Sequence, residues 1–331
     1  MKCAVIGSGS WGTAFAQILV DAGNEVSLWG RDPDVIAQIR SEHRNAKFHP
    51  NSILPETLRA TTDLAGALTG ARIVALAIPS QAMRSTLVAS RSSIEQNAII
   101  VSLVKGVELQ SMARMSQVIS EVLEFESDRI AILTGPNLAG ELILRQPAAG
   151  VVASQNPATA EIVQHTIATG YFRPYTSGDV VGCELAGAMK NVIALAVGMA
   201  VGLGMGDNTR ATVITRGLTE MARLGEALSA QASTFSGLAG LGDLVATCSS
   251  PLSRNRSFGE RLGRGATLAE SLAATKTTAE GVRAAPAILA LARGHKIDVP
   301  ITEAVVDVLI GNLRTVDAVR RLMGRTKKSE N

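Results

Sequence analysis

Cysteine is scarce in this chain of 331 residues: Cys3, Cys183 and Cys248 are far apart and form no CxxC pair. So few thiols exclude a disulfide framework and suit the reduced thiols of a cytoplasmic protein. An excess of either charge is also lacking. The net charge of +3 is too small to argue for a nucleic-acid partner, although a local basic patch can still attract a small anion. His43 and His49 lie in a His-Pro loop, His165 and His295 stand alone, and none has metal-ligand spacing, so no zinc site is expected. Long apolar runs are missing as well. The uncharged stretch from Asn191 to Gly206 falls short of the roughly 20 residues that a bilayer requires, and no integral membrane segment is expected. Lys2 ahead of an apolar run mimics a signal peptide. However, Gly7, Gly9 and Gly12 break the run and no clear cleavage site follows, so export is not expected. Repeats and low-complexity tracts are absent.

What is present is a rather apolar, globular composition, 46% hydrophobic and 18% charged, with enough length for a large core and two domains. The first half alternates strand and helix. KCAVIG stops at a glycine, helical spacing runs from Trp11 to Ala22, and EVSLWG follows. Later apolar runs, ARIVALAIP, AIIVSLVKG, IAILTGP, AAGVVAS and YFRPYTS, are separated by helical or turn-rich segments. That pattern predicts an α/β domain of Rossmann type, a doubly wound and mostly parallel sheet. Beyond Ser177 the β-rich runs stop and helix follows helix. The boundary is therefore expected near Ser177–Asp179, dividing a dinucleotide-binding domain (1–177) from an all-α substrate domain (178–331).

Gly7-Ser8-Gly9-Ser10-Trp11-Gly12 follows a strand and opens a helix. In that setting the glycines allow a tight turn and let backbone N–H groups approach a pyrophosphate at the helix N-terminus. After the second strand an NAD enzyme usually offers a carboxylate to the ribose hydroxyls. This chain offers Gly30 and then Arg31, which suits a 2′-phosphate; Asp32 is adjacent, so NADP is favoured and NAD stays open. Lys105 and the Gly135-Pro136-Asn137 turn follow two later strands, at the sheet edge that borders the ligand crevice. Lys105 reads as a group for a phosphate or a substrate oxygen, or as a solvated loop lysine. Asn137 reads as a helix cap or a polar ligand.

The segment Glu184 to Val201 is apolar on nearly every face, which predicts a buried helix. Within it stands Lys190, followed by Asn191. A buried lysine is costly unless paired, and its pKa is easily moved toward the working pH, as a general acid or base requires. The bland alternative is a lysine that snorkels from the core or pairs with Glu184. Two more polar insertions follow. The glycine-rich GLAGLGD loop ends in Asp243, either a catalytic acid or a helix N-cap. Ser253-Arg254-Asn255-Arg256 reads as a phosphate clamp or as a capped, solvated helix start. Glycines 198, 202, 204 and 206 either admit a close neighbour or end the helix.

Taken together, GSGSWGTA, GPNLAGE, GAMKNVIALAVG, GLGMGDNTRA, ITRGLTEM, TFSGLAGLGDLVATCSSPLSRNR and AEGV resemble the bacterial-type NAD(P)-dependent glycerol-3-phosphate dehydrogenases over nearly the whole chain. GAMKN, GLGD and SRNR, in that order and spacing, are its most specific part. The resemblance implies cofactor contacts at Ser10, Trp11, Arg31, Lys105, Ala139, Arg254, Thr278 and Glu280. It implies substrate contacts at Lys105, Gly135, Asn137, Lys190, Asp243, Ser253, Arg254 and Asn255, with Lys190 as proton acceptor. The family often has Ser at the place of Asn137 and Val at that of Thr278. The implied reaction interconverts dihydroxyacetone phosphate and sn-glycerol 3-phosphate at the head of glycerophospholipid synthesis. Asp243 would orient the ammonium or hold the terminal hydroxyl. Other readings of the residues are a dehydrogenase of a hydroxy acid or sugar acid, and a non-catalytic NADP sensor. The sequence does not fix the oligomeric state, and a homodimer is compatible with it.

Overall fold

The computed structural model describes residues 1–274, 279–326 and 329. Eight strands form one sheet: β1 (Lys2–Ile6), β2 (Glu25–Trp29), β3 (Arg59–Thr61), β4 (Ile73–Leu76), β5 (Ile99–Ser102), β6 (Ile130–Thr134), β7 (Ala148–Ala153) and β8 (Phe172–Ser177). Their order is β3-β2-β1-β4-β5-β6-β7-β8. The sheet is parallel except between β6 and β7, where Ile132 faces Ala153 and Thr134 faces Val151. A parallel return needs a crossover of about a dozen residues or more, usually a full helix. Here the connection holds only the short helix Ala139–Leu142, and the chain turns back antiparallel. The strand order reverses between β1 and β4, and in open α/β sheets ligands bind beyond the carboxyl ends of the strands at that point.

Helices cover both faces, because strands such as Ile73–Leu76 and Ile130–Thr134 are buried along their whole length. One face packs on Phe15, Ile18 and Leu19 of helix α1 (Ser10–Asp21); the other packs on Leu87, Val118 and Ile119. The short β3 is not apparent from apolar patterning, since RAT has a single buried residue, Ala60. After β8 the described chain is helical.

The helix Val180–Gly202 runs through the centre of that second part. By length and composition it could cross a membrane, yet it is mostly buried inside the protein. Its charged residues are paired. Glu184 takes hydrogen bonds from Arg114 Nη1 (2.6 Å), Ser116 N (2.8 Å) and Ser116 Oγ (2.6 Å), so its partner lies beside the sheet and is not Lys190. The helix Arg254–Gly263 lies against it at backbone distance. A Cβ added at Gly198 would sit 2.0 Å from the Arg256 carbonyl oxygen, and one at Gly259 would sit 2.1 Å from that of Leu195. Gly202 and Gly263 make the same kind of approach one turn on. Gly204, at φ +77, turns the chain out of the central helix, and Gly206 precedes the next helix, Asp207–Ala227.

Candidate active site

The glycine turn comes first in the chain. Gly7 has φ +121, and a side chain there would strike the Ala77 carbonyl at 2.4 Å. A Cβ at Gly12 would meet the Gly7 carbonyl at 1.9 Å, so the turn and α1 require both glycines. Gly9 differs: nothing lies within 4 Å of where its Cβ would be, and space is left above the helix. No side chain caps the start of α1. Below the turn, Asn45 Nδ2 donates to Ser8 O (3.1 Å) and His49 Nε2 donates to Ser10 O (2.9 Å). Across a trans peptide the N–H points opposite to the carbonyl. With those two carbonyls tied down, the N–H groups of Gly9 and Trp11 face the open side. Trp11 Nε1 is buried without a partner. This uncapped, donor-rich cradle fits the pyrophosphate of a dinucleotide.

Beyond β2, Arg31 is exposed. Asp32 caps helix α2 (Pro33–Glu42) by accepting from Asp34 N and Val35 N.

The charged centre joins the sheet to the helical part of the chain. Lys105, just beyond β5, donates to Asp243 Oδ2 (2.6 Å) and to the Gly135 carbonyl (2.9 Å). Lys190 donates to Asp243 Oδ1 (2.6 Å) and Thr247 Oγ1 (2.8 Å). The Asp243 side chain is 2% exposed, and each of its oxygens is held by one lysine. Asp243 is the first residue of the helix Asp243–Ser249 and not its cap; Gly242 takes that place. Burial, together with the neighbouring ammonium of Lys190, lowers the Lys105 pKa to about 8 against the opposing pull of Asp243. An ammonium has three N–H donors. Two on each lysine are used within this cluster, which leaves one on each for a ligand.

Asn191, one residue after Lys190, donates to the Lys105 and Gly187 carbonyls at 3.3 Å each. Its carbonyl oxygen accepts from Asn255 Nδ2 (2.9 Å), and Asn255 Oδ1 accepts from Gly281 N (2.9 Å). Asn255 therefore stitches three segments together and retains one N–H. Ser253 caps the helix that follows by accepting from Arg256 N. Arg254 is exposed at that helix start and makes no ion pair among the described residues. Glu280 is half-buried at the start of its helix Glu280–Gly294. Burial raises its pKa, and the charges of Arg254, Lys190, Lys105 and Arg283 oppose that rise.

Gly135 adopts φ +111, packed against Gly150. Asn137 follows it, and both polar ends of its side chain are buried without a partner, a costly state that a ligand would relieve. Ala139 opens the short helix after β6. A Cβ on the adjacent Gly140 would lie 3.6 Å from Leu252, which brings the SRNR segment to this loop. Thr278 lies outside the described residues.

Lys105, Lys190, Asp243 and the Gly135 carbonyl are thus in direct contact, with Ser253, Arg254 and Asn255 on the adjoining helix. Thr247 and Asn191 belong to the same network. Thr247 stands four residues after Asp243, one helical turn along the same face, and that spacing is the signal by which it could be found.

Profiles of the NAD-dependent glycerol-3-phosphate dehydrogenases match this chain in both parts, the N-terminal one over residues 2–160 and the C-terminal one over residues 179–320. A glycerol-3-phosphate dehydrogenase [NAD(P)+] of Streptomyces griseus is 54% identical over 330 residues, covering 100% of this chain and 98% of that protein. Its counterpart in Corynebacterium diphtheriae is 53% identical over 331 residues, covering 100% of both. The crystal structure of glycerol-3-phosphate dehydrogenase from Coxiella burnetii superposes with a TM-score of 0.93 at 36% identity, covering 98% of each chain.

Proposed function

Because the chain belongs to the glycerol-3-phosphate dehydrogenase family, we propose that the Lys105–Asp243–Lys190 cluster and the SRNR helix start carry its reaction. The protein is an oxidoreductase that interconverts dihydroxyacetone phosphate and sn-glycerol 3-phosphate with NAD(P)H. The observation that carries the assignment of roles is Asp243, buried between two lysines at 2.6 Å from each.

The bound nicotinamide cofactor supplies the hydride for the substrate carbonyl. Gly7, Gly9 and Gly12 shape the cradle for its pyrophosphate; Ser10, Trp11, Ala139 and Glu280 are assigned further contacts to the cofactor, and Arg31 reads a 2′-phosphate. This assignment favours NADP over NAD. As the carbonyl oxygen gains negative charge, the free N–H of Lys190 donates its proton, and in the reverse direction Lys190 takes it back. Asp243 and Thr247 fix the direction of that N–H, so Asp243 orients the ammonium. Lys105 adds a second cation against the developing alkoxide. Arg254, with the Ser253 hydroxyl and the remaining N–H of Asn255, clamps the phosphate, and Asn137 satisfies its buried amide on the substrate.

The assignment of 1–177 to the cofactor and 178–331 to substrate chemistry belongs to this reading. So do a homodimer and a cytoplasmic setting that supplies glycerophospholipid synthesis. Three free, buried cysteines accord with a reducing compartment. Following NADPH and NADH oxidation with dihydroxyacetone phosphate, dihydroxyacetone and a 2-keto acid tests the reading. Turnover should require the phosphorylated ketone. Equal turnover of the keto acid would refute it.

A further inference from the structure

The connection between α2 and β3 carries Asn45, Lys47 and His49 in alternation. Asn45 and His49 tie it to the glycine turn, as described above. Lys47, between them, reaches the other half of the dinucleotide site: its Nζ lies 2.7 Å from Asp32 Oδ2. Asp32 Oδ1 is occupied too, accepting from Asp34 N (3.2 Å) and Val35 N (3.4 Å). Asp32 is the carboxylate that directly follows the Gly30-Arg31 turn at the end of β2, where dinucleotide folds present an acid to the ribose 2′-hydroxyl. Here both of its oxygens are committed elsewhere, and the Lys47 ammonium and the two amides hold its carboxyl below the usual range.

A charged carboxylate beside a bound 2′-phosphate would repel it. Lys47 offsets that charge beside the exposed Arg31. We propose that Lys47 is a specificity-determining residue of the cofactor site. It pins Asp32 to the start of α2, out of reach of a ribose 2′-hydroxyl, and joins Arg31 in receiving a 2′-phosphate. The inference rests on the reading that Arg31 faces the 2′ position and adds to it the residue that disarms the neighbouring acid. The side chain is 58% exposed and Asn45 and His49 anchor the loop independently, so its replacement leaves the turn in place.

The test is equilibrium binding of NADPH and of NADH, followed by cofactor fluorescence without substrate. 2′,5′-ADP and 5′-AMP serve as competitors to isolate the 2′ position. Lys47→Met should lower the NADPH-over-NADH preference by roughly tenfold, as for loss of one charge-assisted phosphate contact. It should weaken 2′,5′-ADP and not 5′-AMP. Lys47→Arg should keep the preference. Asp32→Asn in the Lys47→Met background should restore part of it, because asparagine still caps the helix while the repelling charge is gone. A Lys47→Met protein with unchanged preference overturns the proposal, and so does a Lys47→Arg protein that falls as far as the methionine variant. Arg31→Ala is measured in parallel. If it leaves the preference intact, the assignment of Arg31 fails; if it lowers the preference and Lys47→Met does not, the role of Lys47 alone is refuted.

Discussion

Replacing Lys190 by methionine keeps the length and apolar stem of the side chain and removes the ammonium. The structure limits the cost in stability. Losing one partner of a buried pair typically costs about 3–5 kcal/mol, because the other charge is stranded. Asp243 is not stranded here, since Lys105 still holds its second oxygen at 2.6 Å. The expected loss is closer to that of an unmade charged hydrogen bond, about 1–3 kcal/mol, and the central helix should stay packed. The catalytic loss should be far larger. General acid catalysis is worth roughly 100- to 10,000-fold, or about 2.7–5.4 kcal/mol of barrier, and the contact to the alkoxide adds to it. The assay is kcat for dihydroxyacetone phosphate reduction beside NADPH binding and a urea melt. A cooperative melt, near-normal NADPH affinity and a rate down at least a hundredfold are expected. A folded Lys190→Met protein that turns over within a few fold of the wild type would show that Lys190 is a core lysine and no more.

Arg254→Ala should raise KM for dihydroxyacetone phosphate much more than for unphosphorylated analogues, by a loss on the order of 2–5 kcal/mol; equal losses on both would remove Arg254 from the phosphate site. Lys105, with its pKa lowered to about 8, should lose its charge as pH rises through that value. The rate should then fall on the alkaline side, with that limb missing in Lys105→Met. The stability effect has the opposite sign: the folded pKa lies below the unfolded 10.5, so this group's contribution becomes more favourable between about 8 and 10.5, readable as a rising urea midpoint relative to Lys105→Met. Gly198→Ala places a methyl 2.0 Å from the Arg256 carbonyl and must part the two helices. A cost of about 1–3 kcal/mol and a raised KM for the phosphorylated substrate are expected, and an unaltered melt and KM would show that the contact is slack.

The fold class is legible in the sequence because buried parallel strands read as continuous apolar runs and the central helix as an apolar one. The three-residue β3, with one buried side chain, gives no such run. The lysines, Asp243 and SRNR stand out because each interrupts an apolar pattern. Their pairing does not, since Lys190 and Asp243 are 53 residues apart and meet through tertiary packing alone. Glu184 is the reverse case: it lies on the same helix as Lys190, yet pairs with Arg114 across the chain. Asn255 looks like a ligand in SRNR, while one of its N–H groups and its carbonyl oxygen already serve Asn191 and Gly281. Sequence spacing marks which polar groups are unusual, and only the packing shows which of them are already spoken for.

The glycine contact between the central helix and the SRNR helix has a consequence for substrate choice. Two backbones that touch through Gly198, Gly202, Gly259 and Gly263 have no side chains between them to yield, so neither helix can slide against the other. One helix bears the ammonium assigned to the carbonyl oxygen, and the other bears the guanidinium assigned to the phosphate. Their separation is then a fixed gauge cut into the main chain. On that assignment, a phosphorylated ketone one carbon longer or shorter should bind less well than dihydroxyacetone phosphate, because the helices cannot shift to meet it. The two helices would move only as a single piece, carrying the ammonium and the guanidinium together.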